Sequence, residues 1–181
     1  MKHLTRILFV TLILSSVPSF ASEIVKKEIT FFAIHPMKEV HGNCKEVQID
    51  SPKIQAAGAG YKLGSPFQIK VPVLKLHSGD ESRDSHIMEI LGYPETPEVL
   101  VIVETVIQTG ESYSIKGKLT IRGVTRPFES SAKVEPKDPG QIRVTGKVNI
   151  KFSDFNLERP SLLFVKAKEE IEIGYDFLIK I

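Results

Sequence analysis

The chain has 181 residues, 41% hydrophobic and 25% charged, with one Cys, no Trp, 12 Gly and 11 Pro. These proportions belong to a folded globular protein and exclude a disordered, collagenous or disulfide-scaffold chain. The formal net charge is only +2 and no basic run is present, so there is no electrostatic footprint for nucleic acid.

The amino terminus stands apart. Residues 1–21 contain no acidic side chain; Lys2 and Arg6 precede the apolar run Ile7 to Leu14, and Ser19-Phe20-Ala21 supplies small residues where a signal peptidase reads. The segment reads as an export signal cleaved after Ala21, leaving one domain, residues 22–181, in the periplasm or outside the cell. Cleavage takes Lys plus Arg from 24 to 22, level with Asp plus Glu. A bilayer span needs roughly 20 apolar residues. No later segment approaches that length, so no integral membrane segment is expected after cleavage.

Alternation of apolar and polar residues with period two dominates the rest of the chain, the mark of strands with one buried face. Strands are predicted over Glu28 to Ile34 and Glu39 to Ile49, and Gly58 to Gly64 reads as a mobile loop. Next comes a clean strand with Phe67, Ile69, Val71 and Val73 on one face. A short helix is predicted over Ser85 to Leu91, with Asp84 as its N-cap and Gly92 and Pro94 as its stop. The strand Val99 to Ile107, carrying Val101 and Val103, leads through the turn Thr109-Gly110-Glu111-Ser112 to Tyr113, Ile115, Gly117, Leu119 and Ile121. After Phe128 to Val134 and the turn Lys137-Asp138-Pro139-Gly140, a further strand presents Ile142, Val144, Gly146, Val148, Ile150 and Phe152. Asn156 to Lys166 reads as a connection, and the last strand carries Ile171, Ile173, Tyr175, Phe177, Ile179 and Ile181. The fold class is all-β: an antiparallel eight-stranded up-and-down barrel with one or two short helices. Eight strands enclose a space that side chains fill or that holds one small ligand.

Other chemistry is thinly represented. His35, Met37, His41 and Cys44 are soft ligands of the kinds copper prefers, but positions 35, 37 and 41 of a strand face one way and 44 the other. Copper binding is therefore the third reading, and Cys44 reads as an inert buried thiol. No nucleophile elbow or metalloprotease helix is present, Glu169-Glu170 reads as a solvated pair, and the glycines near residue 60 lack the Lys-Ser/Thr of a phosphate loop. No enzyme activity, cofactor or metal is expected.

The segment Gly117-Lys118-Leu119-Thr120-Ile121-Arg122-Gly123-Val124-Thr125-Arg126-Pro127 resembles the signature of the YceI family of secreted, lipocalin-like lipid-binding proteins, which implies an antiparallel eight-stranded lipocalin-like barrel. Leu76 to Met88, with its small-residue turn and His86-Ile87-Met88, is similar to a second family segment, and Tyr93-Pro94 and Phe155 to Ile181 fit later ones. Arg122 stands where His is frequent, and the early Gly-x-Trp of true lipocalins is absent. The resemblance implies a long apolar tunnel that takes an isoprenoid or other long-chain lipid. On that reading the ligand-binding set is Phe67, Ile69, Val71, Val73, Val101, Val103, Tyr113, Ile115, Leu119, Ile121, Val144, Val148, Ile150, Ile173, Tyr175 and Phe177, with Arg83 and His86 meeting the head group. The alternative is a filled barrel without ligand, serving as a structural or stress-response interaction module. A homodimer is compatible with either reading.

Overall fold

Apolar residues at every second position give each strand a face that must be covered, and the chain covers it by rolling one sheet upon itself. The computed structural model describes residues 22–58 and 60–181; the predicted export signal, residues 1–21, lies outside them. In chain order the strands are β1 (Glu23–His35), β2 (Lys38–Cys44), β3 (Gln48–Ile49), β4 (Ile54–Ala57), β5 (Gly60–Leu63), β6 (Phe67–Pro72), β7 (Glu98–Thr109), β8 (Ser112–Ile121), β9 (Val124–Pro136), β10 (Gln141–Lys151), β11 (Ser161–Leu162), β12 (Val165–Lys166) and β13 (Glu170–Lys180), with one α-helix, α1 (Glu81–Leu91). Nine of them form a single antiparallel sheet in the order β2-β1-β13-β10-β9-β8-β7-β6-β3. The sheet closes at a seam where β2 bridges His77, in the segment between β6 and α1 rather than on the edge strand β3: Asn43 N–H donates to His77 O at 2.8 Å and His77 N–H donates to Asn43 O at 2.9 Å.

The expected all-β antiparallel architecture is present, with one correction of count. Eight strands have six residues or more. The ninth, β3, has two, because the predicted strand Glu39 to Ile49 breaks after Cys44 at the seam. The predicted helix boundary also moves. Asp80, not Asp84, is the N-cap, its Oδ1 accepting from Arg83 N–H at 2.9 Å. The Asp84 carboxylate instead accepts the Ser78 N–H at 2.8 Å and the Ser78 hydroxyl. Burial opposes ionisation of Asp84, yet the Ser78 hydrogen bonds and His77 outweigh it and leave the pKa below the ordinary value. The region 58–64 is not a free loop, since β4 and β5 pair there as a hairpin.

The sheet's outer face is polar and laced with ion pairs. Asp176 on β13 accepts from Arg143 Nε and Nη2, both at 2.8 Å, and from Lys26 Nζ at 2.6 Å. The Arg143 hydrogen bonds are the main cause, opposed by burial and aided by Lys26, of a carboxyl held at about 2 rather than 3.8. A pKa depressed by folding means stabilisation that is complete above about pH 4 and lost as pH falls through about 2. Arg143 and Lys26 are partly exposed, so screening leaves about 1 kcal/mol. Asp176→Asn is therefore expected to lower the denaturation midpoint at neutral pH, with the difference shrinking as pH falls through about 2 and gone below it. An equal difference at neutral and at low pH would contradict this account.

Candidate functional site

The inward side chains do not meet at the centre: the barrel is hollow. Two apolar compartments lie along its axis, an outer one of about 610 Å³ and an inner one of about 150 Å³. Ile29, Val101, Leu119 and Ile173 line both and form a waist between them. Along each strand the order is regular. On β8, Tyr113 and Ile115 face the inner compartment, Leu119 the waist and Ile121 the outer; on β13, Phe177 and Tyr175 face the inner and Ile173 the waist. The same progression places Val103, Val144, Val148, Phe67 and Ile69 inside and Val71 and Ile150 outside. Period-two alternation in a register-matched antiparallel sheet produces this directly, because inward positions of neighbouring strands stack in layers.

One wall residue of the expected set is misplaced. Val73 belongs to the 3-10 turn Val73–Lys75, is 1% exposed and lines neither compartment, because the strand stops at Pro72 before the pattern runs out. Other wall residues were not evident from the sequence. Pro52, Ile54, Tyr61 and Leu63 close the inner end on and beside the β4–β5 hairpin, whose four-residue strands are too short to show a period. Ile29, Phe31 and Ala33 of β1 also line the cavities. Their strand is predicted, and its alternation marks them in retrospect.

Two of the tunnel's tyrosine hydroxyls, those of Tyr113 and Tyr175, are hydrogen-bonded within the protein. The Tyr61 N–H donates to Tyr113 Oη at 3.2 Å. Ser130 Oγ donates to Lys147 O and lies 2.8 Å from Tyr175 Oη, which leaves the tyrosine hydroxyl to donate to Ser130. Burial raises the Tyr175 pKa against the opposing effect of that bond, so the hydroxyl stays protonated. Gly146 makes room for it: a β-carbon there would lie 2.2 Å from Tyr175 Oη. Apart from Lys62, every residue of the inner compartment is apolar or a tyrosine.

The outer compartment opens beside α1, where Asp80, Ser82, Arg83 and His86 stand on its lining. Arg83 is braced, with Nε donating to Ser78 Oγ at 2.8 Å and Nη2 to Ser78 O at 2.7 Å. His86 is exposed, its Nδ1 3.4 Å from Glu89 Oε2. The soft ligands do not converge. Cys44 is fully buried among Val47, Ile69 and Val71, and burial pushes its thiol pKa up, whereas the exposed His41 ring lies tilted against Phe32, the ring centroids 4.6 Å apart.

Comparison with known proteins agrees with this architecture. The family model for the YceI-like domain matches residues 21–178. The chain belongs to the YceI family. A UPF0312 protein of Pectobacterium carotovorum subsp. carotovorum is 35% identical over 98 residues, 50% of each chain, so this chain spans about half the length of the curated relative it matches. Among solved structures, Burkholderia cenocepacia BcnA superposes with a TM-score of 0.71 at 16% identity, covering 84% of this chain and 95% of its own. A polyisoprenoid binding domain from Saccharophagus degradans superposes with a TM-score of 0.67 at 15% identity, covering 88% and 98%. The YceI protein of Campylobacter jejuni gives 0.56 at 18% identity, covering 77% and 85%.

The YceI signature has a structural meaning here. Ile121 pairs with Val124, so Arg122-Gly123 is a two-residue hairpin loop between β8 and β9. Both φ values are positive, 48° and 76°, as a type I′ turn requires, and Gly123 takes its position without a steric penalty. The turn fixes the register that aims Leu119 and Ile121 into the tunnel.

Proposed function

We propose that this YceI protein is a carrier or reservoir that holds an isoprenoid lipid or quinone-like amphiphile in its barrel, and that it works outside the cytoplasm after loss of residues 1–21. The observation that carries the reading is the tunnel: an outer compartment of about 610 Å³, within the range of small-molecule sites, continued by an inner one with apolar walls. The Saccharophagus degradans neighbour, described as a polyisoprenoid binding domain, supports the same ligand class. Each five-carbon unit leaving water gains roughly 4 kcal/mol gross, at about 0.8 per methylene, and immobilisation of the chain takes back much of that. Affinity then accumulates over several units, which suits a long tunnel. Arg83 and His86 are the polar groups placed at the outer compartment to meet a head group. Binding rather than catalysis fits walls that are almost wholly apolar, with the Tyr175 hydroxyl held by Ser130.

Mass spectrometry of organic extracts of the purified protein tests this, with Ile121→Trp as the matched variant. Ile121 is buried and borders the outer compartment, so the larger ring has empty space to enter. The variant is expected to purify folded with at least about fivefold less co-extracted lipid, since the indole takes ligand volume. Parent protein without lipid, or a folded variant with undiminished lipid, sinks the proposal. The intact mass of the same preparation reads the amino terminus, expected at Ser22.

A further inference from the structure

The β11–β12 hairpin opposes two local preferences at once. Leu162 pairs with Val165, which makes Leu163-Phe164 a two-residue loop. Both residues have positive φ, 48° and 67°, the pattern of a type I′ turn that Asn-Gly fills most readily. A left-handed backbone is disfavoured for any residue with a β-carbon, and most of all for bulky ones. Solvation runs the same way, since Leu163 is 70% exposed, Phe164 is fully exposed, and Leu162 and Val165 are exposed beside them. Backbone and water both favour a small polar pair here, yet the sequence supplies Leu-Phe. Side chains that break local rules without an internal gain are explained by what they touch outside the fold.

The hairpin's position identifies that partner. Its base, Pro160 to Leu162, lines the outer compartment together with Arg83 and His86 of α1. The base is stiff: His35 Nε2 lies 2.7 Å from Val165 O, Lys168 N–H donates to Ile34 O at 2.7 Å, and Arg159 Nε donates to Ala167 O at 3.0 Å. Exposed Lys38, Lys166 and Lys168 lie on the adjoining segments, interspersed with exposed Glu39 and Glu158, and Met37 is exposed at the neighbouring β1–β2 turn. A tip of four residues falls far short of the roughly 800 Å² per partner that a stable protein interface takes. A bilayer asks less, namely a few inserted apolar side chains and cations at the headgroup level. The geometry points to a lipid membrane surface as the partner of this hairpin: Leu162 to Val165 insert at the acyl boundary, the lysines meet anionic headgroups, and the tunnel mouth is held against the bilayer. What passes between membrane and tunnel rests on the lipid-carrier reading; the membrane docking itself does not.

The sequence lacks tryptophan, so Phe164→Trp gives a reporter confined to the tip, and Ile107→Trp gives one on β7 beside the β7–β8 turn. With phosphatidylglycerol–phosphatidylethanolamine vesicles, Phe164→Trp emission is expected to shift to the blue and be quenched by brominated acyl chains. The response should be weaker with phosphatidylcholine and absent for Ile107→Trp. The double variant Leu163→Asn with Phe164→Gly suits the turn, so it should melt no earlier than the parent while binding anionic vesicles at least about tenfold less. Equal responses from the two reporters, or undiminished vesicle binding by the double variant, overturn the inference. So does a blue shift that needs no vesicles and grows with protein concentration, which assigns the tip to a second copy of the chain. A parent protein that yields lipid on extraction but ignores vesicles removes this inference and leaves the carrier reading; one that binds vesicles but yields no lipid does the reverse.

Discussion

Gly117→Ala is expected to lower stability by about 3 kcal/mol, which for a chain of this size moves the melting temperature down by about 6–12 °C. Gly117 lies on the inner face of β8 opposite Val103, next to the irregular register between Val103 and Thr105. A β-carbon there would lie 2.0 Å from the Ile102 carbonyl oxygen and 3.0 Å from the Phe128 ring. The ring can turn, but the carbonyl belongs to the neighbouring strand and moves only with the ladder. Gly110 supplies the control. Its φ is +64° but nothing lies near its missing β-carbon, so Gly110→Ala should cost only the left-handed strain of about 1 kcal/mol. Equal losses in the two variants, measured by thermal unfolding, would mean that space at Gly117 is not the constraint.

Phe155→Ala should be more costly still, at about 3–5 kcal/mol. Phe155 ends the short turn Ser153–Phe155, is 1% exposed, lines neither compartment itself, and packs with Ile150, Phe152 and Leu157, which line the outer one. Deleting its ring opens a cavity among buried neighbours that relax only partly. Leu119→Ala is the informative partner. Leu119 is also buried, but it lines both compartments, and side chains already bordering empty space lose fewer neighbours on truncation. Its cost should fall near about 2 kcal/mol, the low end for a buried leucine. Urea midpoints compare the two, and a Leu119→Ala loss as large as that of Phe155→Ala would argue for a filled barrel.

The strands were legible because alternation is a direct imprint of a sheet with one wet face. The same imprint marks which residues point inward, which is why Tyr113, Leu119 and Phe177 can be named from the sequence. Hollowness cannot be read this way, since Leu119 shows the same alternation whether it meets another side chain or empty space. The helix start is ambiguous for a local reason. Asp80 and Asp84 are both plausible caps, and only the turn at Ser78 reveals that the second carboxylate is already engaged. The β4–β5 hairpin hides behind its glycines, and the β11–β12 hairpin behind Leu163-Phe164, which is the opposite of a turn signal. The least legible loop is thus the one whose side chains are assigned a role beyond the fold.

Mechanically the barrel is a rolled sheet rather than a sealed tube. Its length is fixed by long ladders such as β1 on β13 and β10 on β13, while the backbone pairing that closes its circumference between Asn43 and His77 is two hydrogen bonds. Girth is therefore far softer than height. A bulky occupant that presses outward meets the least backbone pairing at this line, two hydrogen bonds of about 1 kcal/mol each, while the Lys45–Val47 connection between β2 and β3 and the Ser22 N–H to Pro52 O bond still tether the edges.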